Sequence, residues 1–221
     1  GALAGLANPP VQEVIRDSEY SPKEEVTLTA AIRSGALSKP EAKSKLALAR
    51  AHAQRAHALA PQDPKTLKAL GFVHSALQDY DQAIHFYQQA VLLDRDAWDS
   101  LINWAELESL SGNHDDAVLR FSQAYSAMER RYSDEPQRVG PWQADLAVAI
   151  GDLQHEQGQL PEALEWFKKA RALEPYHPEA TQRILETLET LGDQEEINRL
   201  CAQLRLSTVQ RSIAARCDRH P

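Results

Sequence analysis

Apolar positions recur along this chain with two periods, a short one of three and four residues and a long one of 34. In "YDQAIHFYQQAVLLDR" (80 to 95), "HDDAVLRFSQAYSAME" (114 to 129) and "LPEALEWFKKARALEP" (160 to 175), Ala83, Ala117 and Ala163 share one column. Tyr87, Phe121 and Phe167 share a second, and Ala90, Ala124 and Ala170 a third. Steps of four and then three residues place these columns on one stripe of a helix. Twelve residues before each leading alanine stands Gly71, Ala105 or Gly151, preceded by Leu70, Trp104 or Ile150. Between the two groups, Gln78, Gly112 or Gly158 marks a turn that needs a residue tolerant of left-handed backbone. Each unit is therefore predicted to be a helix, a tight turn and a second helix. Small residues at Gly71 and Ala83 let the pair approach closely, and Tyr87 is expected to fill the wedge toward the next unit's first helix.

The rhythm breaks once. Between the second and third of these units the landmarks lie 46 residues apart, and the 12 extra residues fall around "MERRYSDEPQRVGPW" (128 to 142). "SAMERRY" is expected to lengthen the preceding helix by about one or two turns. "SDEPQRVGP" reads as a polar loop stiffened by Pro136, Gly140 and Pro141, with Pro141 starting the next helix. Arg130, Arg131 and Arg138 form a basic island beside an acidic third unit. A plain spacer and a separate contact surface both remain open.

The column order of a large residue, Leu-Gly, an aromatic, then Ala, Phe or Tyr, Ala and Pro over 34 residues resembles the tetratricopeptide repeat. The resemblance implies an all-α fold, a right-handed superhelical solenoid of antiparallel helix pairs. On this reading residues 64–97, 98–131 and 144–177 are repeats and 132–143 is an inserted junction loop. Residues 1–21 form a partly irregular extension and 22–63 a degenerate first repeat or N-cap. Residues 178–206 form a degenerate fourth repeat, and 207–221 a C-terminal capping helix and tail. Ser21-Pro22-Lys23-Glu24 and Ser38-Lys39-Pro40-Glu41 read as capping boxes, while Asp63-Pro64 and His177-Pro178 place proline in a first helical turn.

Composition narrows the function classes. A hydrophobic fraction of 43% and a charged fraction of 25% exclude a mainly disordered chain. The net charge of −8 argues against a nucleic-acid surface, which needs a concentrated basic stripe. No apolar run approaches the roughly 20 residues of a membrane-spanning helix, so no membrane insertion is expected from this segment. "GALAGLANPP" lacks an initiator Met and a basic n-region, which reads as a processed chain or an excised fragment. Cys201 and Cys217 are too few and too far apart for a zinc or redox motif. They are either two free thiols, with Cys201 in a helix interface, or a disulfide closing the last hairpin in an oxidising compartment. Cytoplasmic and periplasmic locations both stay open.

The motifs of enzymes do not appear. The chain has no serine-hydrolase elbow, glycine-rich phosphate loop or His-Glu-x-x-His helix, so no catalytic residue, metal or cofactor is expected. His52 and His57 are five residues apart and lie on different helix faces. His74 is read as an interface histidine, whereas His155 is the one expected in a groove.

The resemblance implies that partners bind a concave face lined by first helices. Projected onto this chain, the groove includes Lys68, Phe72, Ile102, Asn103, Glu106 and Leu110, with Phe72, Ile102 and Leu110 as apolar anchors. Farther along it includes Asp145, Asp152, His155, Glu156, Glu186 and Glu189. Relatives that clamp a peptide's C-terminal carboxylate place Lys and Asn in one repeat, Asn in the next, and Lys and Arg in a third. Lys68 and Asn103 fit, but Phe72, Asp145 and Ala149 do not, so a carboxylate clamp is rejected. Residues 144 to 196 hold 12 acidic and 4 basic side chains. A solvated exterior is one account of that excess; attraction of a basic peptide is the other. The expected function is a non-catalytic scaffold binding a protein or peptide, with a regulatory, extracytoplasmic domain of a larger bacterial protein as the alternative. Trp98, Trp142 and Trp166 exceed what the repeat core needs and point to a homodimer contact.

Overall fold

The computed structural model describes residues 32, 34–205, 213 and 217 of the 221. The expected extension at 1–21, the capping box at Ser21 and most of the 207–221 cap lie outside the described residues. The chain divides into two compact units, Gly1–Arg131 and Tyr132–Pro221. Among the described residues every long element is a helix.

The first unit contains α1 (Pro40–Leu59), α2 (Pro64–Ala76), α3 (Tyr80–Leu93), α4 (Trp98–Leu110) and α5 (His114–Arg131). The second contains a 3-10 turn (Pro136–Arg138), then α6 (Gly140–Glu156), α7 (Leu160–Leu173), α8 (Pro178–Leu191) and α9 (Gln194–Arg205). Within each unit consecutive helices pack on one another, and first helices also touch, α2 on α4 and α6 on α8. The three alanine and aromatic columns are buried in all the pairs that carry them.

The turns take the backbone that the pattern requires. Gly112, Gly158 and Gln78 have φ of 80°, 75° and 61°, and Gln78 adopts the left-handed region despite its Cβ. Close approach is equally literal. A Cβ on Gly71 would lie 2.5 Å from Tyr87 Cε1, and one on Gly151 would lie 2.5 Å from Phe167 Cε1. The aromatic therefore rests on the glycine of its own pair, a contact additional to the expected wedge toward the next unit's first helix. Tyr87 also senses Asp99 and Glu106 on α4, which, after burial, help push its phenol pKa up.

Helix starts agree with expectation at two sites and differ at a third. Asp63 caps α2 by accepting from the Lys65 N–H at 3.0 Å, and His177 caps α8 through Nδ1, which accepts from the Ala180 N–H at 3.2 Å. The box at Ser38 does not form, because Lys39 is the N-cap of α1 and makes no side-chain capping bond. Proline drives the preceding residue into extended backbone, so Pro40 fixes the boundary one residue beyond Ser38.

The inserted residues are mostly helical. Helix α5 has 18 residues against 14 in α3, and α6 has 17 against 13 in α4. Each extension of four residues is about one turn. The remaining four lengthen the connection, and α6 begins at Gly140 with Pro141 in its first turn. Within the basic island Arg130 binds Asp96 at 2.8 Å and Arg131 binds Asp94 at 3.3 Å, and both acids lie before α4. Arg138 pairs with Glu135 at 3.0 Å inside the junction. All three arginines thus have local acidic partners.

At the end of the second unit, Cys201 of α9 and Cys217 form a disulfide with their Cα atoms 5.4 Å apart. This removes the free-thiol alternative.

Candidate functional site

The residues expected to bind a partner lie on first helices, and each unit orders them in its own way. In the first unit Phe72 and Ile102 are 7% and 2% exposed. They belong to the core and do not stand free as apolar anchors; burial is where large apolar groups gain most. Leu110 and Asn103 are half-buried. Lys68 Nζ on α2 forms an ion pair with Asp99 Oδ2 on α4, so its charge is met within the unit.

The second unit carries more of these internal links. Asp145 on α6 meets His177 Nε2 at 3.0 Å. Since His177 Nδ1 accepts the Ala180 N–H, the neutral ring carries its proton on Nε2 and donates it to Asp145. Asp145 is therefore a buttress for the start of α8. Asp152 lies 2.8 Å from Arg183 Nε, and Glu186 and Glu179 approach the same guanidinium at 3.2 and 3.9 Å. Burial pushes the Asp152 carboxyl above its ordinary range; Arg183 opposes this, while Glu179 and Glu156 reinforce it. Arg183 responds the other way: burial alone would lower its pKa, but Asp152, Glu186 and Glu179 outweigh burial and raise it.

Glu156 is exposed, Glu189 and Glu106 are half-buried, and all three have interactions inside the protein. His155 is half-buried in the last turn of α6, and its Nε2 atom is enclosed without a hydrogen-bond partner among the described residues. His74 behaves as an interface histidine, 3.0 Å from Asp79 and stacked at a tilt 5.3 Å from Phe86. Trp98 is 7% exposed, so it is core and not a free dimer contact. Trp142 and Trp166 are half-buried, and the Lys169 ammonium sits 3.8 Å from the Trp166 ring centre.

Sequence reasoning overlooked Asp99, His177 and Arg183 as the partners of groove residues. A signal exists: Lys68 and Asp99, like Asp152 and Arg183, are opposite charges 31 residues apart. That is one 34-residue period less about one helical turn, the separation that aligns successive first helices edge to edge.

A sequence profile for the tetratricopeptide repeat matches residues 64–97, the span of α2, α3 and the turn between them. The chain contains a tetratricopeptide repeat. Its helix pairs share their fold with solved tetratricopeptide proteins. A crystal structure of MamA overlays with a TM-score of 0.56 at 16% identity, covering 80% of this chain and 92% of that one. The Cut9 and Hcn1 hetero-tetramer of the APC/C overlays at 0.51 and 14% identity, covering 90% of this chain and 35% of that one. One curated relative, cellulose synthase operon protein C of Pseudomonas fluorescens (strain SBW25), is 25% identical over 139 residues. The match covers 62% of this chain and 11% of that relative's length. These structural likenesses concern the architecture of the tetratricopeptide fold.

Proposed function

We propose that this chain is a non-catalytic scaffold that binds a protein or peptide partner on the faces of its first helices. The supporting observation is the way those helices are joined. Ion pairs from Lys68 to Asp99, and from Asp152 to Arg183, tie neighbouring first helices edge to edge within each unit. Such a face is ordered before a partner arrives, which lowers the entropy cost of association. In the second unit it favours a basic segment, because three carboxylates, Asp152, Glu179 and Glu186, crowd one guanidinium and Glu156 adds a fourth negative group.

Titration of a fluorescent lysine-rich peptide with the whole chain tests this reading. Binding should weaken as salt rises and should drop when Glu156 and Glu179 are both changed to Lys. Binding that ignores salt and both substitutions would sink the basic-segment reading.

The disulfide favours a second element of the proposal, residence in an oxidising compartment as a regulatory domain of a larger protein. Alkylation of unreduced protein from its native source should leave Cys201 and Cys217 unmodified. Full labelling of both thiols would contradict it.

A further inference from the structure

Each unit also holds a cleft between successive second helices, away from the ion-paired first-helix residues. In the first unit it measures about 410 Å³ and is lined by Val91, Leu101, Leu119 and Gln123, with Arg95 and Arg130. In the second it measures about 420 Å³, with α7 and α9 as walls and Ile184 and Leu188 of α8 as floor. The two clefts are repeat equivalents. Val91 and Arg171, Leu119 and Arg199, and Gln123 and Gln203 are each 80 residues apart, the sum of one regular and one lengthened period. At these matched columns the first unit presents Val91 and Leu119 where the second presents Arg171 and Arg199, while the arginines of the first cleft, Arg95 and Arg130, stand at other positions.

The second cleft concentrates positive charge in an acidic stretch of chain. Lys168, Arg171 and Arg199 line it against a single carboxylate, Glu196. Arg199 is held by Glu195 and Glu196, and Lys168 reaches Glu165 and Glu196 at 3.7 and 3.9 Å. Pairs this exposed contribute little and exchange readily. Arg171 donates to the neutral Gln203 Oε1 at 3.0 Å, so among the described residues no carboxylate matches its charge. Ala172 and Pro175 add exposed apolar surface beside it.

We infer that this cleft binds an acidic segment of a protein partner. A side-chain carboxylate lies between Arg171 and Arg199, whose planar forks suit it, and a neighbouring aliphatic side chain rests on Ala172, Pro175 and Leu200. The scaffold then offers two surfaces of opposite preference, and this one does not depend on the first-helix reading.

The test uses the whole chain and a fluorescein-labelled hexapeptide of alternating glutamate and leucine, followed by anisotropy. Arg171→Val with Arg199→Leu installs the side chains that Val91 and Leu119 supply in the equivalent cleft, so the backbone accepts them. This double variant should weaken binding about tenfold or more. Arg171→Gln, which keeps most of the volume, should weaken it in the same direction with an unchanged helical melt. The reciprocal Val91→Arg with Leu119→Arg should raise the stoichiometry from one peptide to two. Binding by the double variant within twofold of the parent overturns the proposal, as does a parent that ignores the peptide at millimolar concentration. So does decanoate binding with no peptide binding, since that assigns the cleft to a free fatty acid.

Discussion

Gly71 beneath Tyr87 and Gly151 beneath Phe167 are the same contact built twice, each with a would-be Cβ 2.5 Å from the ring, yet their polar surroundings differ. In the first unit Ser75 is buried, donates to the Gly71 carbonyl at 2.9 Å and lies 3.2 Å from the Tyr87 hydroxyl. In the second, the corresponding ring has no hydroxyl and His155 replaces Ser75, with an Nε2 that is enclosed and has no hydrogen-bond partner among the described residues. The apolar geometry is held fixed while the polar atoms around it are settled case by case. This follows from the energetics: ring and glycine fit is a matter of volume, whereas an enclosed polar atom must find its own partner. The second unit differs again at its end, where a covalent link joins α9 to Cys217.

The comparison breaks most visibly at that link. Cys217→Ser should destabilise the second unit by about 3 kcal/mol, the loop-closure value for a bridge of 16 residues. Hydrogen exchange should show the loss in α8 and α9 while α2 and α3 keep their protection. Equal loss in both units would mean that they unfold as one.

Next come the glycines. Gly71→Ala and Gly151→Ala should each cost about 1–3 kcal/mol by overpacking against the ring, and by similar amounts, as read from urea midpoints. A difference greater than about 2 kcal/mol would show that the two contacts are not equivalent. Tyr87→Phe should cost about 1 kcal/mol, because Ser75 retains its bond to the Gly71 carbonyl. Phe167→Tyr should cost less than that, since its hydroxyl enters at the column where His155 offers an unused nitrogen.

The smallest effect belongs to Asp152. Its carboxyl titrates higher when folded than when unfolded, so the folded state binds the proton more tightly. Relative to Asp152→Asn, the parent should therefore lose stability as pH rises from the ordinary aspartate range through the raised folded value, then level off. The change should stay below about 1 kcal/mol, because the group is partly solvated and paired. A slope of the opposite sign would show that Arg183 dominates its environment.

Much of the fold was legible in the chain because small residues, aromatics and turn positions recur in register. The left-handed turns at Gln78, Gly112 and Gly158 were readable for the same reason. The candidate site was less legible. Projection of family positions onto the sequence treated Phe72 and Ile102 as available, yet these residues are needed for the core. It also treated Asp145 and Asp152 as free carboxylates, when His177 and Arg183 meet them. The local partners of the basic island were not legible either, since the lengthened α5 carries Arg130 and Arg131 back to Asp96 and Asp94.

The sequence by itself determined the helix pairs, their turns and the residues at each close contact, because periodicity and side-chain volume act over short stretches of chain. Tertiary structure alone decided which charges are satisfied, whether Cys201 and Cys217 join, and that residues 80 apart, unlike in side chain, line matching clefts. Those outcomes depend on distances between residues well separated along the chain, 16 positions for the cysteines and 31 for the first-helix ion pairs, which a pattern of residue types does not contain until the helices have packed.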